Sequence, residues 1–596
     1  MAAFFAQRQV VTERVMKYYA AGICGLIAVF VVFHWTHWLC VSLERSKKPP
    51  GILGRPFVAG SRLARNLLIR KVPGFRSAGH GVVVAAYVAI NVAVIFTNVD
   101  FSSLSNLSSR LGWMVLANMA LVIFLALKNT PLAFIAAYSY ERLNCLHQIA
   151  GYTMFLEMVL HASTYTAYFN NLGRLSVMFA ERQQIAAIVA GFSFLGVVFT
   201  ATFIRRVWYE LFYVTHISCW IAAVVAVGFH QPGLANKTLI VVLIAASMWF
   251  LDRLVRASRV LYYSVNNEAT LHPLPDGGTK IVMKKVPSRA EPGKHCFIWI
   301  PAIRKFETHP FTIHKSSPVE FTVKARNGFT SDLHKYAVAH PGAAVKASID
   351  GPYGTFPDPL DFDKIVLIAG GGGATFTFGL AINLLERMNE DCPRNVVFIW
   401  SVREHEHLSW FKEQLDFLKT HAHSPKVNVS LYVTRAPSST SDLPSDSDNH
   451  GHSTPSDSSD GAEWPPLSPI GPDLEKTASK EPAPAVRWPP LTGGDSEKDT
   501  EGALETQVEH GGASGKGTAK TADVVSHSFY EYAVKAGRPD VASLIRDAVR
   551  TTPRNQRVLV AACGPDGLMR VVRDTTAKLI VGDGPAVELH CEQFGW

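Results

Sequence analysis

The chain has 596 residues, 48% of them hydrophobic and 18% charged, and its mean hydropathy is above zero. The formal net charge of +9 comes from short basic stretches between apolar runs, which argues against nucleic-acid binding. Eight cysteines are scattered without a CxxC pair, a pattern that argues against both a zinc site and a disulfide framework.

Seven runs are long enough to cross a bilayer, near residues 18–40, 81–101, 112–136, 145–168, 185–204, 208–230 and 237–252. The first is too long for a secretory signal and has no obvious small-residue cleavage site, so it reads as a retained helix. The basic stretch 41–80, the pair Arg205-Arg206, and Arg253, Arg256 and Arg259 mark the cytosolic side. That choice places the N-terminus outside and everything after 253 inside. The sequons at Asn106 and Asn236 then fall on outer loops.

The fourth run opens and closes on histidine in "HQIAGYTMFLEMVLH", from His147 to His161. The sixth repeats that separation with His216 and His230. Fourteen residues return a helix to within about 40° of the same face after a rise of about 21 Å. On co-directional helices His147 faces His216 at the inner level and His161 faces His230 at the outer level. Two imidazoles per level suit two haems, with no open iron position and hence electron transfer rather than oxygen binding. Single membrane histidines also serve as packing or pore residues, but two pairs of equal spacing favour ligation. His34, His37 and His80 lack such a partner pattern and read as structural.

From about 262 short β-type runs such as "KIVMKKV", "KHCFIWI" and "EFTVKAR" are punctuated by Gly and Pro, which predicts an antiparallel β-barrel. From 364 strands and helices alternate, as in a doubly wound α/β domain. The organisation expected is a membrane domain over 1–255, a barrel over 262–358 and an α/β domain over 363–596. Residues 436–525 are rich in Ser, Pro, Asp, Glu, Gly and Thr and read as a disordered insertion in the last of these.

"HPFTI" begins at His309. Thr312 and Phe311 could hydrogen-bond the edge and pack the face of an isoalloxazine, with Pro310 between and His309 near the phosphates or ribityl chain. An ordinary Pro-containing strand start is the plainer alternative. "NGFTSDLH" offers Gly328, Phe329 and Thr330 before a helix, where backbone N–H groups can hold a pyrophosphate. The run Gly370, Gly371, Gly372, Gly373, with Thr375 after it, lies between strand and helix, suited to a dinucleotide or to a tight structural turn. "CGPDGLM" again follows a strand and places Cys563, Gly564 and Pro565 near a nicotinamide. Arg403 could pair with a 2′-phosphate and favour NADPH, or be an ordinary surface arginine.

Taken together and in order, "NTPLAFIAAYSYERLNCLHQIAGY", "RRVWYELFYVTHIS", "HPFTI", "DGPYG", "AGGGGATF", "CGPDGLM" and the terminal "FGW" resemble the fungal ferric reductase family, which shares its core with the NADPH oxidases. The resemblance covers roughly 110–435 and 540–596. It implies a membrane domain with two b-type haems fused to a ferredoxin-reductase-like module with FAD and NADPH sites. A C-terminal aromatic, Trp596 or Phe594, would cover the flavin. It further implies ferric-chelate reduction at the plasma membrane, with cupric chelates as a possible second acceptor and an iron permease and multicopper oxidase downstream.

The insertion and the short outer N-terminal region depart from the family pattern. A superoxide-generating oxidase differs only in its acceptor. The equal histidine spacings favour a reductase, since the oxidases typically have a second pair one residue shorter. A channel or transporter with a regulatory nucleotide domain, its histidines relaying protons, is the rival of a different class.

Overall fold

The computed structural model describes residues 2–45, 54–230, 236–389, 394–435, 527–529, 531–580 and 584–592. The expected insertion 436–525 and both expected lid residues, Phe594 and Trp596, lie outside the described residues.

Eight helices of sixteen or more residues precede the first strand: α1 (Ala2–Arg45), α2 (Gly54–Ile69), α3 (Ala78–Phe96), α4 (Leu104–Ala126), α5 (Tyr140–Asn171), α6 (Arg182–Phe199), α7 (Tyr209–Phe229) and α8 (Asn236–Ser264). Among the described residues six segments are long and apolar enough to cross a membrane, the exception among the expected spans being the fourth. That helix, α5, is 32 residues long, about 48 Å at 1.5 Å per residue. Its sequence mixes Glu141, Arg142, Gln148 and Glu157 with the two histidines, so length supports a crossing where composition does not. The protein is an integral membrane protein.

Two expectations are corrected. The stretch 41–80, expected only as a basic cytosolic segment between spans, contains helix α2, which buries Asn66 and leaves Leu63 and Leu67 exposed. Asn106, placed on an outer loop, lies in the first turn of α4, 7% exposed, with its amide donating to Asp100 O at 2.9 Å. A buried, hydrogen-bonded amide is a poor glycosylation acceptor. Helix α4 is the most enclosed of the bundle, with Met114, Asn118 and Met119 fully buried. Its Arg110 donates to Val94 O and Thr97 O, both at 2.7 Å, and so closes the C-terminal end of α3.

Seven strands follow: β1 (Glu268–Leu274), β2 (Gly278–Met283), β3 (His295–Trp299), β4 (His309–Ser316), β5 (Val319–Lys324), β6 (Ala344–Lys346) and β7 (Ser348–Tyr353). They form an antiparallel sheet in the order β6-β1-β2-β5-β4-β3-β7, with helix α9 (Phe329–Ala339) packed on it.

The second sheet holds β8 (Lys364–Gly370), β9 (Asn395–Val402), β10 (Val427–Val433), β11 (His527–Phe529), β12 (Tyr532–Ala536), β13 (Arg557–Cys563) and β14 (Ala586–Glu592). Its order is β11-β12-β10-β9-β8-β13-β14, and all pairs except β11–β12 are parallel. Strand β13 is buried at every position and β8 at all but the first, because helices α10 (Ala374–Arg387), α11 (Lys412–Thr420), α12 (Val541–Arg550) and α13 (Asp566–Ile580) cover the sheet. Chain order reverses between β8 and β13, the point at which such sheets bind ligands beyond their strand ends.

Candidate electron-transfer sites

The four membrane histidines share one device. The Nδ1–H of His147 donates to Val122 O at 3.0 Å and that of His161 to Ser108 O at 2.7 Å, both on α4. The Nδ1–H of His216 donates to Val197 O and that of His230 to Gln183 O, both at 3.0 Å on α6. The receiving carbonyls are also fourteen residues apart on each helix, so the period of the histidines is matched by the helix behind them. Each bond fixes the ring and its tautomer and leaves Nε2 outward with its lone pair available. Among the described residues none of the four Nε2 atoms has a hydrogen-bond partner.

His161 and His230 face one another with ring centroids 6.3 Å apart. Two metal–nitrogen bonds of about 2 Å plus the ring radii span about that distance. His147 and His216 line one cleft, whose walls also carry Arg76, Arg205 and Arg253. The donor set, the free Nε2 atoms and the basic rim all fit an iron porphyrin with anionic edges. Small residues permit this packing. A Cβ on Gly112 would lie 2.9 Å from His161 Cε1, and one on Gly196 would lie 2.9 Å from Cys219 Sγ.

The antiparallel sheet sits at the ends of the membrane helices. Lys128 lies over the Phe297 ring at 3.2 Å, and Tyr140 Oη and the Glu141 carboxylate approach His295 Nε2 at 3.2 and 2.8 Å. Asp350, fully buried, accepts from Arg256 at 2.8 Å, Arg259 at 3.3 Å and Tyr353 at 2.9 Å. His295 stands opposite Thr312 in the β3–β4 ladder, so strand pairing brings the "HPFTI" motif beside this junction. His309 stacks on Phe329 at 4.2 Å and 14°, and Phe311 packs on the same ring at 6.2 Å. Burial holds the His309 imidazole below its usual range against the upward pull of its hydrogen bond to Glu307. Pro310 pairs with Phe297 in the same ladder.

Gly328 has φ +77°, and a Cβ there would meet Glu210 Oε1 at 2.6 Å. The start of α9, expected to face a pyrophosphate, is thus approached by a carboxylate from α7. The Thr330 hydroxyl is engaged locally, accepting from Arg326 N at 2.9 Å.

In the second sheet two motifs separated by nearly two hundred residues meet. A Cβ on Gly373 would lie 2.2 Å from Cys563 O, and one on Gly370 would lie 2.7 Å from Pro565 Cδ. Only glycines permit that approach. Gly371 and Gly372 face open space, with φ +56° at Gly371, and Thr375 is 9% exposed. Burial pushes the Cys563 thiol well above its usual range, so it is a neutral wall group and not a thiolate nucleophile. Gly564 packs against Leu568 and Gly370. Arg403 is exposed at the end of β9, and Arg435 donates its backbone N–H to Arg403 O at 3.0 Å.

The two sheets are joined through Gly379 on α10, where a Cβ would meet Gly293 N at 2.6 Å and Ile313 O at 2.9 Å. Elsewhere between the two sheets Asp276, Glu404 and His407 converge, but Lys324 Nζ lies 3.3 Å from His407 Nε2. That cluster therefore reads as an interdomain latch, with Trp410 Nε1 donating to Pro275 O at 2.8 Å.

The second sheet also docks on membrane-side segments. Glu588 on β14 pairs with His37 at 3.5 Å, Arg65 donates to Val587 O at 3.1 Å and Asn66 donates to Ala577 O. The sequence signal for this surface was the run of arginines in 54–71; the partner surface left none.

Residues 111–227 match the family model described as ferric reductase like transmembrane component, 263–356 an FAD-binding domain, and 362–577 a ferric reductase NAD binding domain. The chain is 25% identical over 500 residues to ferric/cupric reductase transmembrane component 2 of Saccharomyces cerevisiae, covering 82% of this chain and 61% of that one. It is 26% identical over 345 residues to a probable ferric reductase transmembrane component of Candida albicans, covering 55% and 49%. The chain thus spans less than two thirds of the length of either relative. Among solved structures, flavohemoglobin from Malassezia yamatoensis with bound FAD and heme overlaps at TM-score 0.34 and 14% identity, covering 83% and 96%.

Proposed function

The chain belongs to the ferric reductase family, and from that premise we propose that it carries electrons from cytosolic NADPH across the membrane to a ferric chelate. Cupric chelates are a second acceptor class. The observation that carries this reading is the fourfold arrangement of Nδ1–carbonyl bonds, which presents two imidazoles at each of two levels.

When bound, FAD would supply the conversion of a hydride into single electrons, and two b-type haems would supply their passage between membrane levels. The protein holds and orients them. His147 and His216 would take one haem and His161 and His230 the other. Arg76, Arg205 and Arg253 on the cleft rim would neutralise the carboxylates of the first. Phe311 and Thr312 on β4 would carry the flavin ring, beside the Tyr140–His295 contact that joins this sheet to the membrane helices.

The open backbone at Gly371 and Gly372 would admit the NADPH pyrophosphate at the switch point of the second sheet, with Cys563, Gly564 and Pro565 walling the nicotinamide side. Arg403 and Arg435 would read the 2′-phosphate. The basic segments support a cytosolic position for these sheets and an outside N-terminus, which suits the plasma membrane and delivery of reduced iron to an uptake system. Outward movement of an electron then runs down the membrane potential by about 2.3 kcal/mol per 100 mV.

The decisive experiment supplies NADPH to the cytosolic face of sealed vesicles. Reduction of an impermeant ferric chelate on the opposite side supports the reading. Superoxide formation that added chelate leaves unchanged would make the protein an oxidase.

A further inference from the structure

The bundle contains a carboxyl group that the proposed pathway does not use. Glu157 lies on α5, ten residues after His147 and four before His161, and is 2% exposed. Its Oε2 accepts from Asn118 Nδ2 at 2.7 Å, while Oε1 has no partner among the described residues. Asn118 also donates to Asn91 Oδ1 at 2.7 Å, and its own Oδ1 accepts from Tyr19 at 2.6 Å and Tyr87 at 2.7 Å. Four helices thus contribute to one enclosed polar column.

The titratable groups facing Glu157 are Tyr19 from α1 and Tyr87 from α3, with His161 one turn along its own helix. From α4 comes only the neutral amide of Asn118. Among the described residues no lysine, arginine or second carboxylate faces it. An ionised carboxylate is costly in such a place unless a positive charge stands nearby. A helix clamp alone would need only an acceptor for the Asn118 amide, which an uncharged glutamine supplies equally well.

We propose that Glu157 is a redox-linked protonation site. The inference rests on the reading that His161 and His230 hold a haem. The iron and ring of a ferric haem with two neutral imidazoles carry one positive charge, its propionates apart, and four helical residues separate Glu157 from that level by about 6 Å along the axis. The positive centre stabilises the carboxylate. When one electron arrives from the His147–His216 level that charge disappears, and the carboxylate takes up one proton from water. When the electron leaves for the acceptor the carboxyl releases the proton. One electron and one proton are gained together and lost together, so the low-dielectric interior never holds an uncompensated negative charge.

The test is a spectroelectrochemical titration of the purified holoprotein across mildly acidic to mildly alkaline pH, for the wild type and Glu157→Gln. The glutamine keeps an acceptor for Asn118. In the wild type the oxidised-to-reduced ratio of one haem, at fixed potential, rises with pH by up to tenfold per unit. In Glu157→Gln that dependence is lost while haem content and reduced spectrum are retained. A wild type whose ratio ignores pH, or a variant that keeps the full dependence, overturns the proposal. Absence of any Soret band in the wild type would instead remove the haem reading beneath it. The reduced-minus-oxidised infrared spectrum of the wild type gives a second measurement should the variant not fold. A new protonated-carboxyl C=O band is expected there, and its absence counts against the proposal.

Discussion

Gly112 on α4 lies directly behind His161, so close that a Cβ would stand 2.9 Å from Cε1 and 3.0 Å from Nδ1. The same ring donates to Ser108 O one turn earlier on α4 and faces His230 across 6.3 Å. The glycine therefore makes room for the ring, and the carbonyl aims it.

Gly112→Ala should push His161 out of its position. The expected outcome is loss of about half the bound haem, one centre of two, with FAD retained. Gly25→Ala, at a position with nothing within 4 Å, should leave haem content unchanged. Haem-to-protein and flavin-to-protein ratios of the purified variants check both.

At Gly373 a methyl group would be 2.2 Å from Cys563 O, a backbone atom that cannot swing away. Gly373→Ala should cost more than the ~1–3 kcal/mol typical of an overpacked core. It should abolish flavin reduction by NADPH while chemically reduced flavin still passes electrons onward. Anaerobic stopped-flow with NADPH, then with dithionite, separates the two steps.

Asp350 joins α8 to the antiparallel sheet through Arg256 and Arg259. Asp350→Ala leaves buried guanidinium charge without its counter-ion and should destabilise that junction by about 3–5 kcal/mol. Earlier thermal release of FAD, before loss of membrane-helix structure, is the expected signature.

Burial raises the Glu588 carboxyl, but the His37 hydrogen bond, Arg65 and Arg557 outweigh it and bring it to about 2. A carboxylate depressed below its unfolded value of about 4.5 contributes stability in full above that value and loses it as pH falls towards 2. The contribution is at most about 3 kcal/mol. Docking of the second sheet on α1 and α2 should weaken over that window, and Glu588→Gln should remove the dependence. Hydrogen exchange of 54–71 at graded acid pH reads it.

Arg403 and Arg435 sit at the ends of neighbouring parallel strands. The double substitution to alanine should raise KM for NADPH at least tenfold, about 1.4 kcal/mol, and leave NADH use unchanged. Equal behaviour towards both nucleotides would make them ordinary surface arginines.

Glu157 shows how a signal can be present in a sequence yet unreadable. A charged residue inside "FLEMVLH" marks a functional candidate by default, but its partner Asn118 lies 39 positions away, and the tyrosines that bond Asn118, Tyr19 and Tyr87, further still. Helix α2 is a similar case. Its arginines suggest a cytosolic segment by charge alone, whereas the partner of Arg65, Val587 O on β14, lies 522 positions further on.

By itself the sequence determined what is periodic or local. Apolar length marked seven runs, six of which are helices long and apolar enough to cross a membrane among the described residues; the fourteen-residue interval put each histidine pair on one helix face, and strand–glycine–helix order marked the parallel sheet. These follow from helix pitch and backbone sterics, which act over a few residues. Tertiary structure alone decided which carbonyls aim the imidazoles, that Gly112 and Gly373 are the close approaches, that a carboxylate stands at Gly328, and that Asn106 is buried. Each of these depends on the packing of segments far apart in the chain. Close packing has no period, and backbone acceptors carry no residue signature.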